Sequence, residues 1–451
     1  MSPFSTSLVV IMAKDRKKKR KKSPKIPHKI LIAQKRNEYM RRYVRVVKAI
    51  GALDVYRSLP EKELHLLWLA RVPTLRVEAA EGAGINPRLL NVFRVCISEM
   101  VKKFEVSVVK DGPKVTMEDY FTAGVALGSY ARTIDTQNAP GVDRERVKQA
   151  FNPLARHDRY DEPYRYLGII GGFLARYFSR PNSKIYSTKQ GLCRTKNLPA
   201  DALYFDVMAA EKISVTSNGK KRTCFRLCWP DIFGRINYAK VRAQELGIES
   251  PLSELSLDVY IQTHALIRMR ERIDVGDTPT LLMFFYDSID RKAINPVRPG
   301  VGLLEYWFYD TLVGYFLIEA IEGVALVKTF LFVTNTGTPQ GDKLDAALGA
   351  GKLDKQYLLL DRLSTFIKTD VMQSEGLRKA LREAGGESLL KMADLDLGNQ
   401  KTGYASFVDR YLGFADRHIS PRKDILSYCA TAGTENSSHP DSAPQRTCAL
   451  S

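Results

Sequence analysis

No stretch of this sequence approaches the ~18 consecutive apolar residues that a membrane-spanning helix requires. The run Leu8-Val9-Val10-Ile11-Met12 is too short for a signal-peptide core, and cations follow it rather than precede it. Cysteine is scarce, six in 451 residues, with no dense spacing that would define a disulfide framework, which points to a reducing, cytoplasmic setting. Cys224 and Cys228 have no second Cys or His pair near them in sequence and read as two buried small apolar residues rather than a zinc site. Metal-ligand motifs, dinucleotide fingerprints and Ser/His/Asp signatures are lacking too, so neither metal nor cofactor is expected.

Acidic residues are also in deficit, 50 against 69 Lys and Arg, giving a net charge of +19. The excess is uneven. Residues 1–50 hold 16 Lys and Arg against Asp15 and Glu38, a net +14, which leaves +5 for the other 401 residues. Arg16, Lys17, Lys18, Lys19, Arg20, Lys21 and Lys22 are consecutive, and Ser23, Pro24 and Pro27 follow. Such a run cannot build a core. It is expected to form a disordered tail, 1–29, that holds phosphate backbones, with nucleic acid as partner and RNA ahead of DNA, or that acts as a nuclear address in a eukaryotic cell. Met12-Ala13-Lys14 reads more naturally as a start than residues 1–11 do.

The 44% hydrophobic content is ample for real cores, and the pattern predicts an α+β protein. Residues 30–199 are expected to be mostly helical. Pro60 opens Glu61 to Arg71, Asn86-Pro87 opens a run with Leu90, Phe93, Ile97 and Val101, and Thr116 with Asp119 forms a capping signal. His157 lies in a charged surface loop, and Ser179 to Thr195 reads as a linker. Residues 200–350 are expected to form a small antiparallel sheet with helices. Strands are predicted at Leu203 to Val207, at Ile213 to Thr216, and at Thr223 to Trp229, with a hairpin signal at Ser217-Asn218-Gly219. A helix is expected at Ile236 to Leu246, a strand at Leu255 to Ile261, and three strands at Leu303 to Tyr309, Gly314 to Ile321 and Val324 to Thr334. Asn335 to Lys343 is a strand-to-helix turn whose glycines do not fit phosphate-loop spacing. Residues 351–427 read as helical, with Leu358, Leu359, Leu363, Phe366 and Ile367 as one apolar series, and 428–451 as a disordered polar end.

Chemistry-bearing side chains gather on one stretch, Thr263 to Ile273. Read as a helix it places His264, Arg268, Glu271 and Arg272 on one face and Leu266, Met269 and Ile273 on the other, with Thr263 as N-cap. Asp277-Thr278-Pro279 restarts a second helix.

The pattern His264-Ala265-x-x-Arg268-Met269-x-Glu271-Arg272, followed by a second helix and a β-meander, resembles the opening of small phage- and plasmid-associated domains similar to RelE-type toxins. The resemblance covers about residues 255–345, and Ile273 stands where those domains usually carry glycine. It implies a compact, metal-independent RNA-cleaving fold. In that chemistry His264 or Glu271 takes the 2′-hydroxyl proton, and Arg268 and Arg272 stabilise the phosphorane. His264 alternatively serves as the acid. Lys328 and Thr334 are the candidates from the sheet. The same spacing is also that of an exposed helix held by its own ion pairs. The alternative reading is therefore a non-enzymatic adaptor or scaffold whose helical regions bind a protein partner and whose basic tail localises it.

Overall fold

The computed structural model describes residues 27–109, 111–136, 139–155, 162–194, 199–217, 219–249 and 251–393. The basic run 16–22, the His157 loop and the polar C-terminal end lie outside the described residues. Among the described residues no helix is long and apolar enough to cross a membrane. The architecture is mixed α+β. Two compact units emerge, one of Met1–Ile267, Gly276–Tyr309 and Phe316–Phe330, the other of Arg268–Val275, Asp310–Tyr315 and Leu331–Ser451.

The first unit begins with helices placed by the sequence signals. His28–Ala49 is one long helix that buries Tyr43, Val46 and Val47. Glu61–Leu69 starts after Pro60, and Pro87–Lys103 starts where the Asn86 side chain accepts from the Arg88 amide at 2.8 Å. Helix Met117–Asp119 is capped by the Thr116 hydroxyl, which accepts from the Asp119 amide. These caps satisfy amide donors that a helix start leaves open. Strand β1 (Arg76–Ala79) and the short hairpin β2–β3 (Glu105–Ser107, Lys114–Thr116) are small additions to this helical region.

The segment read as a linker is instead strand β4 (Lys184–Arg194), paired antiparallel along its length with β5 (Pro199–Ala209), and β5 pairs parallel with β1. The turn signal is real but brief: it closes within Arg180 to Lys184, where the Arg180 amide donates to the Lys184 carbonyl at 2.8 Å. Phe93 stacks on Phe205 at 4.2 Å, so this sheet shares a core with the Pro87–Lys103 helix.

The second sheet is larger than the sequence predicts, eight strands, and mixed rather than antiparallel. Strands β6 (Lys212–Ser217) and β7 (Lys220–Arg226) fall in the predicted β-prone runs, and β8 (Cys228–Pro230), at the end of the second run, pairs outside this sheet. The helix expected over 236–246 is not formed. That stretch holds β9 (Ile236–Tyr238), β10 (Lys240–Arg242) and a single 3₁₀ turn, Ala243–Leu246. Pairing of β10 with β11 (Ser256–Gln262), Val241 opposite Leu257, overrides the local helical tendency. Strand β12 (Ile294–Arg298) forms where Asn295-Pro296 and Pro299-Gly300 carry turn-type residues. It sits at the sheet edge and is irregular between Pro296 and Arg298, a placement that tolerates a residue with no amide donor. Strands β13 (Val301–Phe308), β14 (Thr311–Ile321) and β15 (Val324–Phe332) form the expected meander, and the order is β12-β13-β14-β15-β11-β7-β6. The β11–β15 pair is parallel, which requires the crossover that two helices supply. Of these, Thr278–Arg291 lies against β13, its Leu281 carbonyl accepting from the Tyr306 hydroxyl at 3.0 Å and its Ser288 hydroxyl from the Trp307 amide.

In the other unit, helices Pro339–Leu348, Lys352–Tyr357, Leu363–Lys368, Glu375–Glu383 and Glu387–Ala393 enclose Leu344, Leu358, Leu363, Phe366 and Leu377. The apolar series from Leu358 to Ile367 is not continuous. Leu359 adopts φ +49° and is 40% exposed, so the chain breaks between two short helices there.

Candidate functional site

Helix Thr263–Arg272 emerges directly from β11, so Thr263 is its first residue rather than its cap. Its faces divide as the spacing predicts: Ala265, Leu266, Met269 and the following Ile273 are buried, while His264 and Glu271 are exposed. Arg268, Glu271 and Arg272 come together in one unit, and His264 and Lys328 belong to the other.

Each nominated cation is held by a carboxylate. Arg268 donates to Glu271 at 2.7 Å, one turn along the helix, with side chains 43% and 47% exposed. Arg272 contacts Asp361 with far less water, the side chains being 13% and 3% exposed. Burial, then repulsion from Arg268 and Arg362, pushes the Arg272 guanidinium below its ordinary value. Two residues further on, the Asp274 carboxylate accepts from the Ser364 amide at 2.9 Å and its hydroxyl at 2.6 Å, fixing the first turn of Leu363–Lys368. Lys328 donates to Glu319 across neighbouring strands at 2.5 Å. Thr334 is buried, its hydroxyl donating to the Leu360 carbonyl at 2.7 Å.

The Asn335–Lys343 turn is likewise self-contained. The Thr338 hydroxyl accepts from the Gly341 amide, the Gly337 amide donates to Asp342, and the Thr336 hydroxyl donates to Asp345. Carboxylates already occupy the place a phosphate would take. Below it Lys355, 1% exposed, donates to the Thr334 carbonyl at 2.6 Å and pairs with Asp345. Nothing in the local sequence pattern marks that lysine, because its burial comes from long-range packing.

Cys224 and Cys228 are both buried, burial pushing the Cys228 thiol up to about 11, and among the described residues no group of three ligating side chains could hold a metal ion. The sequence reading missed an open groove of about 490 Å³ in the first unit, where β1 faces the Pro87–Lys103 helix and the π-turn Tyr120–Gly124. Two charged side chains of its wall, Arg94 and Glu78, pair with one another at 2.9 Å, and Glu118 pairs with Arg42 at 3.3 Å. No protein-family model matches this chain, and neither a curated protein nor a solved structure does.

Proposed function

We propose that this chain is a nucleic-acid-associated protein that binds without cleaving, built on a RelE-like helix–helix–meander platform. The observation that carries this reading is the pairing of every cation nominated to stabilise a phosphorane: Arg268 on Glu271, Arg272 on Asp361, Lys328 on Glu319. Transition-state stabilisation of developing negative charge needs positive charge aimed at it and not already compensated. Association without chemistry needs only an excess of cations, and the first 50 residues carry a net +14. The order of Thr263–Arg272, Thr278–Arg291 and β13 to β15 supports treating the resemblance to RelE-type domains as one of fold.

The test is incubation of the full chain with mixed single-stranded RNA in EDTA, beside the variant His264→Ala/Arg268→Ala. We expect both proteins to bind and neither to cleave. Cleavage that the double substitution abolishes would overturn the reading in favour of a metal-independent ribonuclease. A second reading, a protein adaptor, is favoured by Leu353 and Tyr357, which lie one helical turn apart and are 78% and 43% exposed. It is preferred if the full chain binds no RNA.

A further inference from the structure

We infer that the β6–β7 ribbon is a second, folded contact for the phosphodiester backbone of a nucleic acid, separate from the basic N-terminal run. The inference rests on the nucleic-acid reading above and names the surface that serves it. The ribbon carries Lys212, Lys220, Lys221 and Arg222, all exposed, and among the described residues none of them has a carboxylate partner. This separates it from the Thr263–Arg272 helix, where Arg268 and Arg272 are both paired.

Register shows how the surface is built. Lys212 lies opposite Phe225, Ser214 opposite Thr223, and Thr216 opposite Lys221, so these six share one face of the ribbon. Ser214, Thr216 and Thr223 are exposed there beside the lysines, and Lys212 lies over the Phe225 ring at 5.9 Å. That face therefore offers cations and hydroxyl donors, the groups that contact phosphate oxygens, and no carboxylate. The other face packs Val215 and Cys224 against Tyr260 and Leu326, which holds the ribbon in place. Lys220 and Arg222 lie on the opposite face, across from Ser217 and Val215, and add their charges toward the Gly219 end of the ribbon. Glu211, at the base, is engaged by Arg226 at 3.1 Å.

Edge strands often carry lysine simply to discourage sheet-to-sheet association. That need is met by one or two charges on the edge strand itself. Here Lys212 is on the edge strand β6, and Lys220, Lys221 and Arg222 stand on the part of β7 that runs on past its pairing with β11, which covers only Cys224 to Arg226, so four cations gather on one projecting hairpin, more than that need requires. A lipid surface is less well matched, because the exposed positions of the ribbon include no large aliphatic side chain to insert.

The experiment measures binding of a labelled single-stranded RNA by fluorescence anisotropy, using the full chain across a salt series from about 50 to 200 mM. Three proteins are compared: wild type, a ribbon variant (Lys212→Gln, Lys220→Gln, Lys221→Gln, Arg222→Gln) and a tail variant with residues 16–22 changed to Gln. Each phosphate-bound cation contributes about 0.7 to the slope of log affinity against log salt for single strands, so loss of four cations makes the slope shallower by up to about 3. We expect the ribbon variant to show that change with at least a tenfold loss of affinity, and Lys212→Arg/Lys220→Arg/Lys221→Arg to retain wild-type binding. Unchanged circular dichroism and melting exclude misfolding as the cause. Wild-type affinity and slope in the ribbon variant, with loss confined to the tail variant, would overturn the inference and leave the nucleic-acid reading standing. No binding by the wild type removes both. Ribbon-dependent binding to phosphatidylserine vesicles without binding to RNA would also overturn it and reassign the ribbon to anionic membrane.

Discussion

Arg268 and Arg272 stand one turn apart on the same helix and both carry an ion pair, yet removing each should have very different consequences. The Arg268–Glu271 pair is nearly half exposed, and surface pairs of that kind contribute about 0.2–1 kcal/mol. Asp361 is 3% exposed with Arg272 as its close cation, Arg362 lying farther off at 4.0 Å. Substituting Arg272→Met leaves that carboxylate desolvated and nearly uncompensated, and such a break costs about 3–5 kcal/mol, a large share of a typical total stability of about 5–15 kcal/mol. Arg268→Met should cost less than about 1 kcal/mol. The assay is urea unfolding followed by far-ultraviolet circular dichroism, with hydrogen exchange of peptides from 352–393. Acidification should restore part of the loss in Arg272→Met. An orphaned buried carboxyl has a folded-state pKa above its unfolded value, so protonation favours the folded state and stability rises as pH falls. Arg272→Met/Asp361→Leu should recover most of the stability, because a well-packed apolar pair can replace a buried ionic one. A cost for Arg272→Met within about 1 kcal/mol of that for Arg268→Met would refute the reasoning. It would return Arg272 to the list of groups free to meet a phosphate.

Three further outcomes are expected. Asp277 caps helix Thr278–Arg291; burial opposes its ionisation, but bonds from Thr280 and Tyr177 outweigh it and hold the carboxyl below its ordinary value. Asp277→Ala should therefore cost about 1 kcal/mol at neutral pH. The difference should be lost as pH falls through the depressed folded-state pKa, which a pair of thermal melts at pH 7 and well below the carboxylate range would show. Asp201 is the opposite case: it is 7% exposed and burial raises its pKa, with only the Tyr164 hydroxyl at 3.1 Å in compensation. Asp201→Asn, which keeps that acceptor, should raise the melting temperature at neutral pH and give no gain in acid, because the charged form carries the penalty and it disappears on protonation. Finally, a Cβ at Gly341 would lie 1.8 Å from the Asn335 carbonyl oxygen, so Gly341→Ala should destabilise by about 1–3 kcal/mol or more by denaturant titration, whereas at Gly351 the nearest atom is the Asp354 carboxylate at 3.7 Å.

Local chemistry made much of the fold legible. Asn86-Pro87, Thr116 and Asp277-Thr278-Pro279 start helices because their side chains satisfy open amides and Pro tolerates the first turn, and these are interactions between near neighbours in sequence. β-prone runs and the turn signals between them placed β6, β7 and the three meander strands for the same reason, and the 3.6-residue period sorted Leu266, Met269 and Ile273 from His264 and Glu271. What failed was set by distant partners. Strand β4 exists through its pairing with β5, and β10 through its pairing with β11. Whether a short amphipathic stretch such as 236–246 becomes helix or strand was decided by the strand beside it.

The candidate site divides along the same line. The sequence alone determined that His264, Arg268, Glu271 and Arg272 share a helix face, and that the positive charge is concentrated in the first 50 residues, because both follow from spacing and count. The Arg268–Glu271 pair, three residues apart on that helix, also follows from spacing, but whether Arg272 and Lys328 remain available for an anionic ligand was decided by tertiary structure. Asp361 lies 89 positions from Arg272, and Glu319 reaches Lys328 only because two strands fold back on one another. A charge acts according to its partner, and partners that far apart in sequence meet only when packing brings them together.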